Sequence, residues 1–228
     1  NKNIISNEEV DLKKYMTSIK QNCYRLLRLV NNIIDMNKID YGYYDIELGN
    51  YNIVSVVEDI TMSVLEYIKN KGIELIFDTD TEEETIACDP DKIERIILNL
   101  LSNAIKYTRP DGKIIVNINS DKENVYISVK DTGIGMPKQK LNKIFNRYEQ
   151  IDNKLTKSFN GSGIGLSLVK SLVEMHKGKI TVESKENEGS KFTITLPKKR
   201  INNEHIKNTN LTKSRVEKCN IEFSDIYN

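Results

Sequence analysis

Two asparagines four residues apart, Asn99 and Asn103, sit in the segment NLLSNAIKYT. The segment closes a run rich in Ile and Leu that reads as a helix from Pro90 to Tyr107, with Asp89 as its cap and Pro90 in its first turn. Ile93, Ile96, Ile97, Leu100, Leu101, Ala104 and Ile105 form one apolar face, and Lys92, Arg95, Asn99, Asn103 and Lys106 form the opposite stripe. Asn costs about 0.6 kcal/mol relative to Ala inside a helix. Two on one stripe mean either a solvated face or a polar task. A solvated face is ordinarily built from Glu and Lys. A neutral amide oxygen beside a lysine suits a Mg2+-phosphate group, where the metal takes few protein oxygens and keeps water and phosphate oxygens for the rest. The stripe alone leaves both readings open.

Two glycine clusters narrow the choice. DTGIG (131–135) follows a strand pattern and GSGIG (161–165) opens a helix pattern. Glycines spaced by two allow close backbone approach, and a helix N-terminus offers free N–H groups to phosphate oxygens. Asp131 is either a strand-end turn residue or a base-reading carboxylate, which accepts hydrogen bonds from adenine's exocyclic amine and repels a guanine carbonyl. Between the clusters, residues 146–160 show no apolar periodicity. A loop of that length in a compact domain is commonly functional, and its place before a phosphate-facing helix suggests a nucleotide lid. Lys154 and Lys157 are either solvated or within reach of phosphates.

These residues need elements to hold them. From 11 to 37 the sequence reads as a helix with Leu12, Met16, Ile19, Cys23, Leu26, Val30, Ile33 and Asn37 at alternating steps of four and three. This is the rhythm of a coiled coil or bundle, widened by Tyr15, Leu27 and Ile34. Such a seam packs on its own domain or on bundle members that lie outside this sequence. Gly42 and Gly49 break the helix. VSVVEDITMSVLEYIKNKG then reads as one amphipathic helix closed by Gly72, and IELIFDTD and TIACD as short strands. GKIIVNINSDKENVYISVKD and GKITVESKENEGSKFTITLP read as hairpins, with GIGLSLVKSLVEMH a helix between them. After Pro197 the chain turns basic and polar, and its terminal IEFSDIY reads as an edge strand or a partner contact. The order predicts an α+β two-layer sandwich with helices on one face of a sheet, preceded by one long bundle-forming helix.

Bulk properties exclude several classes. The 228 residues carry a net charge of +1, so no global field draws the chain to nucleic acid. No apolar run approaches the ~18 residues of a membrane span, and no signal peptide is visible. Cys23, Cys88 and Cys219 lack metal-ligand spacing, which suits a reducing, cytoplasmic setting. The polar opening NKNIISNEEV, without Met, reads as the interior of a longer chain. Membrane anchoring upstream is left open.

Together the motifs resemble the sensor histidine kinases of two-component signalling. NLLSNAIKYT is similar to the family's N box, DTGIGMP to its first glycine box, IFNRYEQID to its F box and GSGIGLSLVKSLVEMHKGKITVES to its second glycine box. NCYRLLRLVNNIIDMNKID resembles the second helix of the dimerisation and phosphoacceptor hairpin, and the likeness runs over residues 9–198. The resemblance implies a partial dimerisation domain over 1–47, a catalytic ATP-binding domain over 48–198 and a polar tail over 199–228. The implied fold is the ATP-binding sandwich shared with DNA gyrase and the ninety-kilodalton chaperones. Asn103 would ligate Mg2+, with Asn99 beside it and Lys106 on phosphate. Tyr107 would lie against adenine and Asp131 accept from its amine, with Gly133 and Gly135 making room. Phe145 would anchor the lid. Lys157 would contact the nucleotide where many members have Arg, and Gly161, Gly163, Ile164, Gly165 and Leu166 would form the lid hinge and phosphate-facing turn. Lys177 stands where glycine is usual.

The implied activity is transfer of the ATP γ-phosphate to a histidine, for relay to the receiver domain of a response regulator, in a homodimer joined through the heptad helix. Gyrase-type hydrolases carry a water-activating glutamate where this chain has Asn99, and Asn cannot act as that base. A catalytically silent, nucleotide-binding regulatory module is the other alternative. Neither histidine suits the acceptor role: His176 sits at a helix end and His205 in the tail. The acceptor is expected on a helix upstream, so this chain alone is expected to bind ATP without phosphorylating itself.

Overall fold

The computed structural model describes residues 2–149, 162–202 and 215–224. The helix α1 (Lys2–Asp40) leads into β1 (Gly49–Asn52), α2 (Ile53–Ser63), α3 (Leu65–Lys69), β2 (Glu74–Thr79), β3 (Thr85–Cys88) and α4 (Pro90–Tyr107). Then follow β4 (Lys113–Ser120), β5 (Asn124–Asp131), α5 (Gly165–Met175), β6 (Lys179–Lys185), β7 (Gly189–Pro197) and α6 (Arg215–Glu222). The main sheet has the order β2-β4-β5-β7-β6. Its β2–β4 pair is parallel and the other pairs are antiparallel. Both predicted hairpins are present. β1 and β3 form a separate two-stranded antiparallel sheet, and β1 had no sequence signal of its own.

Strand alternation builds the core. Val125, Ile127 and Val129 of β5 stand opposite Ile118 and Val116 of β4 and Leu196, Ile194 and Phe192 of β7, all on the buried face. The next residue in that inward row is Asp131, opposite Ile114 and Ser190. Its period-two position thus carries a carboxylate into the helix-covered side of the sheet. The apolar face of α4 lies over this sheet with α2 and α5 beside it, giving the predicted two-layer sandwich.

Where one helix was expected before Gly72, α2 and α3 are separated at Val64. The Thr61 hydroxyl donates to the Val57 carbonyl and the Ser63 hydroxyl to the Ile60 carbonyl, so side chains compete for backbone acceptors at the break. α1 is two-faced. Its heptad residues, from Ile33 at 44 % to Leu12 at 63 % exposed, point away from the sandwich, whereas Asn32 and Met36 are buried against it.

In the C-terminal region, where the sequence leaves an edge strand or a partner contact open, the described residues pack on the rest of the chain. Asn50 exchanges two hydrogen bonds with the backbone of Ile201, and the Ala87 N–H donates to the Lys199 carbonyl, so the residues just after β7 line the small sheet. Ile221 lies in α6 and Phe223 in the turn that follows it, whereas Ile226 and Tyr227 lie outside the described residues. Cys219 and Phe223, one helical turn apart, are both buried, and Phe223 stacks on Tyr67 at 4.9 Å. A short apolar run fits period two or 3.6 equally well until a surface selects one.

His176 ends α5 as a buried, neutral imidazole. Its Nδ1–H donates to the Leu172 carbonyl at 2.8 Å, and Nε2 accepts from the Asp89 N–H at 3.1 Å. Burial lowers its pKa from the usual 6.5. A histidine with a depressed folded pKa stabilises fully above 6.5 and loses that contribution as pH falls below it. Replacing His176→Phe strands the buried Asp89 N–H. Urea melts are expected to show a loss of about 1–3 kcal/mol near pH 7.5 and a flatter stability profile than the parent's between about pH 5 and 7, where imidazole titrates.

Candidate nucleotide site

Asp89 sets the position of α4. Its Oδ1 accepts from the N–H groups of Asp91 and Lys92, capping the helix, while its Oδ2 accepts from the Glu47 N–H at 3.0 Å. From this start the polar stripe of α4 divides in two. The first half ties down other elements: Lys92 lies 5.0 Å over the Tyr44 ring, and Arg95 pairs with Asp35 of α1 and donates to Asn32 Oδ1 at 2.8 Å. Arg95 is therefore an interhelical contact.

The second half of the stripe carries the candidate chemistry. Asn99 is buried and Asn103 half-buried, and the Asn103 amide donates to Asn99 Oδ1 at 3.4 Å. Lys106 is buried, with its ammonium 5.3 Å over the ring of half-buried Tyr107.

Two other segments converge here. The Gly133 N–H donates to Asp131 Oδ1 at 2.8 Å, and the Ile134 N–H donates to the Tyr107 carbonyl at 3.2 Å, joining the first glycine cluster to the end of α4. Burial pushes the Asp131 carboxyl up to about 6, although N–H bonds from Gly133 and Ser190 favour its charged form. Gly135, at φ +63°, has no space for a side chain because a Cβ would meet the Lys185 carbonyl. Gly135 thus makes room for the protein's own β6–β7 turn, and Gly133 for the Tyr107 carbonyl. At the start of α5, a Cβ on Gly165 would stand 2.7 Å from Asn99 Nδ2, so glycine brings this helix N-terminus against the Asn99 amide.

The remaining predicted residues flank this convergence. Ile164 is buried just before α5, and its carbonyl accepts from the Leu168 N–H and the Ser167 hydroxyl. Leu166 packs on the core from outside. The Gly163 carbonyl accepts from the Tyr148 N–H at 2.9 Å. Phe145 meets Phe192 edge-to-face at 6.4 Å, fixing the F-box segment to β7. Lys154, Lys157 and Gly161 lie outside the described residues, as does His205. Sequence reasoning missed Arg147, whose guanidinium bonds both carboxylate oxygens of Asp40 at the end of α1. It also missed the Asp89–His176 bond. Neither pair has a local signal, because the partners are distant in sequence. Among the described residues no cluster of three or more His, Cys, Asp or Glu forms a metal site, and no helix is long and apolar enough to cross a membrane.

A sandwich that gathers an asparagine helix, an inward strand-end carboxylate and a glycine-opened helix N-terminus defines a class of ATP-binding domain. Residues 88–200 match the family model for histidine kinase-, DNA gyrase B- and HSP90-like ATPases. The chain is 35% identical over 187 residues to Histidine kinase P4 of Formosa agariphila, covering 81% of this chain and 14% of that protein. It superposes on full-length ShkA in complex with AMPPNP with TM-score 0.71 and 25% identity, over 81% of this chain and 38% of that one. It also superposes on ThkA in complex with the response regulator protein TrrA with TM-score 0.65 and 27% identity, over 82% of this chain and 51% of that one. The chain belongs to the sensor histidine kinase family and carries the C-terminal catalytic, ATP-binding domain. It spans about a ninth to a third of the length of the curated relatives it matches.

The Gly165–Asn99 approach can be tested without ligand. Gly165→Ala forces the Asn99 side chain or the start of α5 to move. The higher helix propensity of Ala, about 1 kcal/mol, offsets part of the overpacking cost, so the stability change is expected to stay within about 1 kcal/mol while the Asn99 side-chain amide resonances shift. Asn99 amide resonances unchanged in Gly165→Ala would contradict that close contact.

Proposed function

We propose that this chain is the ATP-binding, phosphoryl-donating part of a sensor histidine kinase. It would deliver the γ-phosphate of Mg2+-ATP to a histidine on an upstream helix, for relay to the receiver domain of a response regulator. The observation that carries this reading is the convergence of Asn99, Asn103 and Lys106 with Asp131 and the start of α5. In this reading residues 1–47 are the second half of a dimerisation hairpin and 48–198 the catalytic domain. The outward heptad seam would join two copies.

The donor set fits the nucleotide. Asn103 offers a neutral, half-exposed amide that would take one Mg2+ position, and buried Lys106 lies one turn on with a positive charge for phosphate. Bound Mg2+ would neutralise phosphate charge. Asp131, at the inward end of β5, would accept from the adenine amine with Tyr107 alongside, and the free N–H groups at the start of α5 would face phosphate oxygens. Asn99 supports transfer over hydrolysis, because its amide positions neighbours and takes no proton from water. His176 has both ring nitrogens engaged and is buried, which supports an acceptor located elsewhere. The ThkA–TrrA complex among the structural neighbours supports a response regulator as the downstream partner.

Calorimetric titration with ATP, with and without Mg2+, tests the site. Asn103→Ala is expected to weaken Mg2+-dependent binding by at least about tenfold, equivalent to about 1.4 kcal/mol, while the melting temperature stays close to the parent's. Equal affinity in parent and variant would refute the metal role. Protonation of Asp131 removes charge from its acceptor oxygens, so affinity should fall as pH drops through about 6 and level off above it. The nucleotide's terminal phosphate titrates nearby. The measured quantity is therefore the difference between the parent and Asp131→Asn, which should shrink towards low pH. Acid-labile phosphate on this chain incubated alone with Mg2+-ATP would overturn the missing-acceptor reading.

A further inference from the structure

We propose that α6 is an intramolecular clamp that holds α1 against the ATP-binding sandwich in one orientation. The helix sits where α1, α2 and α4 meet and contacts all three. On the sandwich side, Lys218 pairs with Asp91 and with Glu94, a carboxylate only 1 % exposed on α4. The Ser102 hydroxyl donates to the Glu222 carbonyl at 2.9 Å, the Tyr67 hydroxyl donates to Asn220 Oδ1 at 2.9 Å, and the Phe223 ring is fully buried against Tyr67. On the α1 side, Arg28 Nε lies 3.0 Å from Glu222 Oε2, a charge contact without hydrogen-bond alignment.

Glu222 therefore joins both sides within one residue. Its carboxylate meets α1 and its carbonyl meets α4. Other described joints between α1 and the sandwich lie nearer the helix end, at Asn32 and Asp35 with Arg95, at buried Met36 beside α5 and at Asp40 with Arg147. Contacts at one end of a rod define a hinge. A further contact at Arg28, about three helical turns back from Asp40, opposes rotation about that hinge, since each turn of helix adds about 5.4 Å of lever. α4 also carries Asn99 and Asn103, so the clamp fixes which flank of the candidate site faces α1. The placement of α6 stands independently of what the sandwich binds.

Pulsed electron–electron resonance tests the clamp. Spin labels at exposed Thr17 on α1 and exposed Lys122 in the β4–β5 turn, in a Cys23→Ser background, report the angle between helix and sandwich. Labelled chain is diluted into unlabelled chain so that only distances within one chain are read. The parent is expected to give one narrow distance distribution. A chain ending at Asn202 should broaden it at least twofold, as should Arg28→Glu, and Arg28→Glu with Glu222→Arg should restore the parent width. Parent width in a truncated chain that still melts cooperatively would overturn the proposal. If truncation prevents folding, Arg28→Glu decides: widths equal in the parent, the single variant and the charge swap would overturn it.

Discussion

The arrangement depends on Asp89. One carboxylate oxygen caps α4, the other holds the Glu47 backbone, and the Asp89 N–H reaches His176 at the end of α5. α4 and α5 carry residues on opposite sides of the candidate site, so this node fixes the register between them. A helix cap is worth about 1 kcal/mol, and a buried N–H left without a partner costs about 1–3 kcal/mol. The same residue thus supports local helix formation and a contact 87 positions away in sequence. The neutral state of His176 follows, because a protonated ring has no acceptor nitrogen to offer.

A second economy lies in α4. Its apolar face is committed to the sandwich, and its polar stripe serves two neighbours in succession. Lys92 and Arg95 engage Tyr44 and the inner face of α1, whereas Asn99, Asn103 and Lys106 face the start of α5 and the end of β5. Attachment of the long helix and the candidate chemistry are therefore one turn apart on one rigid element. Movement of α1 relative to the sandwich acts directly on the helix that bears the asparagines.

Asp131 shows how sheet geometry sets electrostatics. It follows Val125, Ile127 and Val129 in the inward row of β5, so the pleat buries it, and its carboxyl is pushed up to about 6. Two backbone N–H groups limit the cost, and the close fit of Gly189 against the Asp131 backbone closes the turn around it. Strand register, not a local partner, therefore decides where this carboxylate sits and how far its charge is disfavoured.

The sequence by itself determined what rests on local periodicity. It placed α4 from Pro90 to Tyr107, both hairpins and α5, and the α+β sandwich, and it singled out Asn99, Asn103, Lys106 and Asp131 as candidates, because amphipathic period, caps and glycine clusters are written within a few residues of one another. The heptad seam of α1 was equally legible, since its spacing needs no knowledge of the rest of the chain, but its outward direction came from the fold. Only the tertiary structure decided the fate of Arg95 and the pairings of Arg147 with Asp40 and of His176 with Asp89. It alone assigned Gly135 to backbone packing and docked α6, with Phe223 just past its end, against α1, α2 and α4. Each of these joins residues tens of positions apart or settles an ambiguous short run. Their energies arise on desolvation at contacts that exist only after the chain has folded, so no window of sequence contains them.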